Sequence, residues 1–319
     1  MSSYTIRLSN LLQSSQKTLK SNLTRSFSIT VTRYNKKEMK LGFLGTGRIA
    51  QAIMIGLIRK NKLKPEQIYA SDANWDYIKY LKEKCPTFRD FKINYVMKNS
   101  EVFSNSDTVM LCVKPKDIPN LLNEVSPNVN RNHLLVSLAA GVQIKNMEKL
   151  LPKDSRVIRI MPNITALIQQ SVSVYARGSN ASEQDGLLVK NLLESIGYCE
   201  NEINEDLMDV VTALSGSGPA YMCVVLDALA DGAVKMGMTR QLALSLAART
   251  MAGSANMVIN ELNKESGAKH IMNFKEEVSS PGGTTIHGIA ALEENNVRSG
   301  FIKCVESATN RAKELNSKS

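Results

Sequence analysis

The chain has 319 residues, 43% hydrophobic and 22% charged, enough for about two domains with their own cores. No uninterrupted apolar run of about 18 residues occurs, which argues against a membrane span. The net charge of +10 invites a nucleic-acid partner, but Arg7, Lys17, Lys20, Arg25, Arg33, Lys36 and Lys37 lie in residues 1–37 with no acid among them, leaving +3 on residues 38–319. A nucleic-acid binder carries its basic stripe on the folded part, so no nucleic-acid partner is expected.

Residues 1–37 are rich in Ser, Thr and Asn as well as in basic side chains. Ile6, Leu8, Leu11, Leu12 and Leu19 can form an apolar face beside Arg7, Lys17 and Lys20. Such a segment reads as a mitochondrial transit peptide, with a basic cytosolic tail as the alternative. Arg25-Ser26-Phe27-Ser28-Ile29-Thr30 resembles a matrix-processing site, so a matrix location is expected, with the cytoplasm as alternative. The five cysteines, Cys85, Cys112, Cys199, Cys223 and Cys304, show no paired spacing and read as reduced thiols.

From Met39 the pattern changes. Residues 40–45 form a short apolar run ending in glycine, and residues 49–59 carry helical periodicity. A second strand is predicted over 67–71, a helix over 76–84, strands over 108–113 and 134–138, and a helix over 118–125 between them. Further strands are predicted over 157–160 and 172–175. Strands alternating with helices predict a doubly wound, mainly parallel Rossmann sheet over residues 38–200.

Gly45-Thr46-Gly47-Arg48-Ile49-Ala50 fits G-x-G-x-x-[GA], after a strand and at the start of a helix. Gly45 permits the tight turn, Gly47 lets the backbone approach a pyrophosphate, and Ala50 lets helix and sheet pack closely. Arg48 can screen phosphate charge or stand solvated. Asp72, at the end of the second strand and 25 residues after Gly47, is placed to accept hydrogen bonds from an adenine-ribose diol. It repels an extra phosphate, whereas Ser71, Asn74 and Asn99 can tolerate one. The expected cofactor is therefore NAD(H) or NADP(H), with NAD(H) slightly favoured.

Residues 201–319 read as all helical. A helix over 205–214 is expected to break at Ser215-Gly216-Ser217-Gly218, and Pro219 suits the first turn of a long helix towards Met236. That helix is apolar nearly all round, so it should be buried or lie at a subunit interface. Thr239 is expected to cap the next helix, from Arg240 to about Leu262, and 297–315 forms the last. His133, His270 and His287 have no metal-ligand spacing and read as structural or surface residues, so no metal is expected. The Val278-Ser279-Ser280-Pro281-Gly282-Gly283-Thr284-Thr285-Ile286-His287 segment leads glycines and hydroxyls into a helix. It suits either a carboxylate-binding loop or an ordinary cap and turn.

Residues 279–286, Val113-Lys114-Pro115, Ser137-Leu138-Ala139-Ala140-Gly141-Val142, Leu214-Ser215-Gly216-Ser217-Gly218-Pro219-Ala220-Tyr221 and Asp227-Ala228-Leu229-Ala230-Asp231-Gly232 are long motifs set out between about residue 39 and 315. Together these segments resemble the pyrroline-5-carboxylate reductase family. The resemblance implies a Rossmann domain followed by an all-α dimerisation domain, with dimers assembling into a decamer and each active site at a dimer interface. It further implies hydride reduction of (S)-1-pyrroline-5-carboxylate to L-proline. By resemblance, Gly45, Thr46, Gly47, Arg48, Ile49, Ala50, Asp72, Asn74, Asn99, Val113, Lys114, Pro115, Ala140 and Glu277 surround the cofactor. Gly283, Thr284 and Thr285 hold the substrate carboxylate, Glu205 contacts the substrate, and the catalytic Thr285 hydroxyl meets the ring nitrogen. Two departures stand out: Asp72-Ala73-Asn74 replaces the serine or Asn-Arg pair common in the family, and residues 260–277 are several residues longer. A β-hydroxyacid-dehydrogenase-like oxidoreductase is the alternative enzyme, although its catalytic lysine motif has no match here. A non-catalytic dinucleotide-sensing interaction protein needs only the first glycine loop.

Overall fold

The computed structural model describes residues 39–264 and 267–316; the expected leader lies outside them. The chain divides into two compact units between Glu205 and Asp206.

The first unit is an eight-stranded sheet in the order β3-β2-β1-β4-β5-β6-β7-β8. Its strands are β1 (Leu41–Leu44), β2 (Ile68–Ser71), β3 (Asn94–Tyr95), β4 (Thr108–Leu111), β5 (Leu134–Ser137), β6 (Arg156–Met161), β7 (Ser171–Arg177) and β8 (Gly197–Cys199). The central strands β1, β4 and β5 are buried along their whole length, as a parallel sheet covered on both faces requires. Only the β6–β7 pair is antiparallel. The connection between them, residues 162–170, is shorter than a parallel crossover needs. Helix α1 (Arg48–Arg59) buries Ala50, Ile53, Met54 and Leu57, spaced i, i+3, i+4, i+7, against a core that includes Leu41, Phe43 and Ile68.

The remaining helices of this unit are α2 (Trp75–Glu83), α3 (Pro86–Arg89), α4 (Asn99–Ser104), α5 (Ile118–Val125), α6 (Ile144–Glu148) and α7 (Glu183–Leu193). Sequence periodicity misses β3 and β8, which have two and three residues and cannot show a period. Consecutive strand order reverses beside β1, between β2 and β4, and open α/β sheets bind ligands at the carboxyl ends of such strands.

In the second unit α8 (Met208–Val211), α9 (Gly218–Lys235), α10 (Arg240–Leu262), α11 (Ile271–Glu277), α12 (Thr284–Glu294) and α13 (Val297–Asn316) follow one another without a strand among the described residues. The expected break at residues 215–218 takes the form of a π turn and a bend at Ser217, which is the N-cap of α9 with Pro219 in its first turn. Thr212–Gly216 form the π turn, in which Ser217 N–H donates to the Thr212 carbonyl at 2.9 Å, so the chain widens by one residue before the bend. Thr239 occupies the N-cap of α10 but makes no side-chain cap hydrogen bond. Only Ala230 of α9 and Ala243 of α10 are buried. Burial within the chain therefore does not explain their apolar surfaces. The helical stretches Glu205–Lys235 and Arg240–Leu262 are long and apolar enough to cross a membrane by length and composition alone, though no long apolar run signals it.

Candidate functional site

The first glycine loop leaves the carboxyl end of β1 at the switch point. Gly45 has φ +97°, and a Cβ there would lie 2.9 Å from the Cys112 carbonyl oxygen at the end of β4. The protein itself therefore demands glycine at this position. Gly47 differs. It has φ −64°, ordinary for any residue, and a Cβ there would meet nothing within 4 Å. Open space over the N-cap of a 12-residue helix, with no side chain capping its first turn, fits an anion brought close to the backbone amides. These residues therefore fit a dinucleotide pyrophosphate.

The loop is braced from β2. Asp72 Oδ2 accepts from the Thr46 amide at 2.8 Å and from its hydroxyl at 2.9 Å, while Oδ1 accepts from the Asn74 amide at 2.9 Å. Thr46 is fully buried, so it shapes the loop and offers no free donor. Asn74 is the N-cap of α2, its Oδ1 accepting from Tyr77 N–H at 3.0 Å. Gln51 Nε2 ties the Thr46 carbonyl to the Tyr77 hydroxyl, at 2.7 and 2.6 Å. Arg48 is exposed, Ile49 half-buried, and Ala50 buried in the core. Val113, Lys114 and Pro115 follow β4 beside Gly45, and half-buried Ala140 follows β5.

A cavity of about 440 Å³ opens beyond β2, lined by Asp72, Ala73, Met97, Lys98, Asn99, Ser100, Glu124 and Asn128. Ser71 Oγ donates to Asn99 Oδ1 at 2.7 Å, and Asn99 Nδ2 donates to Glu124 Oε1 at 3.0 Å. Asp72 and Asn99 were anticipated here; Glu124 and Lys98 were not, because neither stands in a motif.

Other expected residues occupy different places. Glu205 ends the first unit, and its Oε1 accepts from Ile144 N–H at 2.8 Å and from Arg159 Nη1 at 3.1 Å. Arg159 is 1% exposed, and its Nε and Nη2 have no hydrogen-bond partner among the described residues. Any substrate contact by Glu205 therefore falls to its other oxygen. Glu277 ends α11 in the second unit, exposed and ion-paired with Lys269.

The second loop is built within the second unit. Gly282 has φ +65°, Gly283 N–H donates to the Ser280 carbonyl at 3.0 Å, and a Cβ on Gly283 would lie 2.3 Å from Ser280 Oγ. Gly283 is the N-cap of α12 and carries no capping side chain, so Thr284 and Thr285 open the helix with first-turn amides uncapped. Thr284 is exposed and Thr285 half-buried. The histidines serve the backbone. His287 Nδ1 lies 2.9 Å from the Gly283 carbonyl oxygen, and His270 Nδ1 accepts from Met272 N–H at 3.2 Å. His133 accepts from Asn130 N–H through Nδ1 and faces the Phe103 carbonyl through Nε2; burial lowers its pKa. All five cysteines are free thiols, and burial pushes Cys199 up to about 12.

Comparison with known proteins places these features in a lineage. Residues 205–315 match the family model described as pyrroline-5-carboxylate reductase dimerisation, and residues 40–141 match that of NADP oxidoreductase, coenzyme F420-dependent. Pyrroline-5-carboxylate reductase 3 of Rattus norvegicus is 42% identical over 88% of this chain and 97% of its own length. Pyrroline-5-carboxylate reductase 2 of Homo sapiens is 39% identical over 88% and 84%. Among solved structures, a Coxiella burnetii pyrroline-5-carboxylate reductase aligns with TM-score 0.77 at 31% identity, covering 87% of this chain and 98% of that one. An NADP-bound Plasmodium falciparum pyrroline carboxylate reductase aligns with TM-score 0.75 at 29% identity, over 87% and 98%. The dimerisation match gives the exposed apolar faces of α9 and α10 a second copy of the chain to pack against. With a Rossmann unit for a nicotinamide cofactor and a matching helical unit, this chain belongs to the pyrroline-5-carboxylate reductase family.

Proposed function

We propose that this chain reduces (S)-1-pyrroline-5-carboxylate to L-proline, the final step of proline biosynthesis, using NAD(H) in preference to NADP(H). The observation that carries the reading is about 40% identity to pyrroline-5-carboxylate reductases over 88% of the chain. A bound reduced nicotinamide supplies the hydride that the C=N carbon accepts. The loop at residues 279–285 does the rest on the substrate side. First-turn amides of α12 and the Thr284 hydroxyl hold the carboxylate, with the helix dipole adding to the attraction. The Thr285 hydroxyl accepts from the protonated ring nitrogen, keeping the imine cationic and therefore a better hydride acceptor. Solvent is the proton source, so no strong acid is required. Most of the rate enhancement then comes from holding two reactants in register.

The preference for NAD(H) rests on Asp72 at the end of β2, whose carboxylate suits a ribose diol and repels a phosphate. The NADP-bound relative shows that the alternative exists in the family. Self-association proceeds from dimers towards a decamer, with neither nucleic acid nor membrane as partner. The basic, acid-free residues 1–37 support delivery to the mitochondrial matrix.

Purified protein mixed with pyrroline-5-carboxylate and either NADH or NADPH tests the activity. Oxidation of neither cofactor by folded protein overturns it. Incubation with isolated mitochondria tests the location: import with shortening supports it, and retention outside at full length rejects it.

A further inference from the structure

We propose that Glu124 is a specificity-determining residue for the cofactor, acting through its charge and through Asn99. The inference rests on reading the cavity beyond β2 as the seat of the cofactor's adenosine half.

The argument begins with what a carboxylate can do. An ionised glutamate only accepts hydrogen bonds. Glu124 Oε1 lies 3.0 Å from the Asn99 side-chain amide, so the NH2 end must face it. The carbonyl end must then face Ser71, and the Ser71 hydroxyl has to donate its single proton there, at 2.7 Å. One carboxylate thus sets the direction of the whole chain of bonds.

The consequence concerns an added phosphate. A 2′-phosphate needs donors, whereas a 2′-hydroxyl is served by an acceptor. Asn99 is a neutral donor on the cavity's lining. Glu124 engages one Asn99 amide proton, while Ser71, 1% exposed, stands behind the lining and only fixes the orientation of Asn99. Asp72 contributes only acceptors, and its carboxylate joins that of Glu124 on the lining, against Lys98 alone as cation. Two carboxylates against one cation give the lining a negative potential, which suits a diol and opposes a phosphate. Glu124 comes from the last turn of α5, distant in sequence from the β2 residues that ordinarily report cofactor choice. Its side chain is exposed, so truncating it opens no core.

The test is steady-state kinetics of the full chain with pyrroline-5-carboxylate and each cofactor. In Glu124→Ala, the Asn99 amide is free to donate, and one negative charge is gone. The ratio of kcat/KM for NADPH to that for NADH should rise about tenfold, carried by KM for NADPH, as one regained charge-assisted hydrogen bond allows. Glu124→Gln removes the charge but keeps an acceptor, so its ratio should rise less. A ratio within twofold of the parent in Glu124→Ala, or a change falling equally on both cofactors, overturns the proposal. A separate variant, Ala73→Trp, fills the cavity from an exposed position. If it raises KM for both cofactors, the cavity assignment stands and Glu124 is judged on its own result. If it changes neither KM, the cavity assignment fails and takes the proposal with it.

Discussion

Adding one methyl group at Gly45 forces an L-residue to φ +97° with its Cβ 2.9 Å from the Cys112 carbonyl oxygen. The left-handed backbone costs about 1–2 kcal/mol. Displacing the end of β4 costs about 1–3 more, as overpacking usually does. Gly45→Ala should therefore lose about 2–5 kcal/mol of stability. The same methyl at Gly47 meets nothing within 4 Å, at φ −64°. It gains about 0.4–1 kcal/mol by restricting the unfolded chain. Alanine at an N-cap gives back a similar amount, so the net change should stay within about 1 kcal/mol. What it does is occupy the space through which a pyrophosphate reaches the first-turn amides. NADH affinity should fall roughly 5- to 150-fold, the cost of about 1–3 kcal/mol of overpacking. Urea unfolding midpoints and fluorescence titration with NADH measure the two effects separately. Parent-like NADH affinity in Gly47→Ala, or equal stability losses in the two variants, would refute this division of labour between the glycines.

Four further outcomes are expected. Thr285→Ala should lower kcat/KM for pyrroline-5-carboxylate about 10- to 150-fold, the loss of one hydrogen bond to a charged group, with Thr285→Ser restoring much of it. Asp72→Ala should cost about 1–3 kcal/mol in unfolding experiments, since it leaves the buried Thr46 amide and hydroxyl without their acceptor. His133 is held neutral by burial, its pKa lowered from 6.5 in the folded chain, so the unfolded chain binds more protons below that value. Its stability contribution is thus complete above about pH 6.5 and lost as pH falls through the lowered folded value. His133→Gln should flatten the urea midpoint across that window; an unaltered slope would assign it to other groups. Val224, 70% exposed on α9, should lie against a second copy, so Val224→Asp should shift the mass measured by light scattering towards the monomer. An oligomer of parent mass would place the interface elsewhere.

Much of this molecule was legible in the residues themselves. Residues 40–45 and 108–113 read as buried strands because central parallel strands are apolar on both faces, and β1 and β4 lie inside those ranges. The extents of α5 and α10 follow from the sequence pattern, although the cap expected from Thr239 is not made by its side chain. The first glycine loop was readable because its chemistry is local: turn, amides and helix start lie within six residues. The same locality makes residues 279–285 recognisable as a possible anion loop.

Tertiary structure decided matters that depend on groups far apart in sequence. It separated Gly45, required by the Cys112 carbonyl, from Gly47, whose surroundings are open. Thr46, read as a cofactor contact, proved to be consumed by Asp72 across 26 residues of chain. Between the helix and the break read at residues 205–218 lies a π turn, whose i→i−5 bond from Ser217 to Thr212 composition does not signal. Glu124 reached Asn99 only through the sheet that brings α4 and α5 together. Sequence determined the longer elements and the two loops because each rests on neighbouring residues. Which donors remain free for a ligand was settled by folding, because a hydrogen-bonding group's availability depends on what the rest of the chain has already placed beside it.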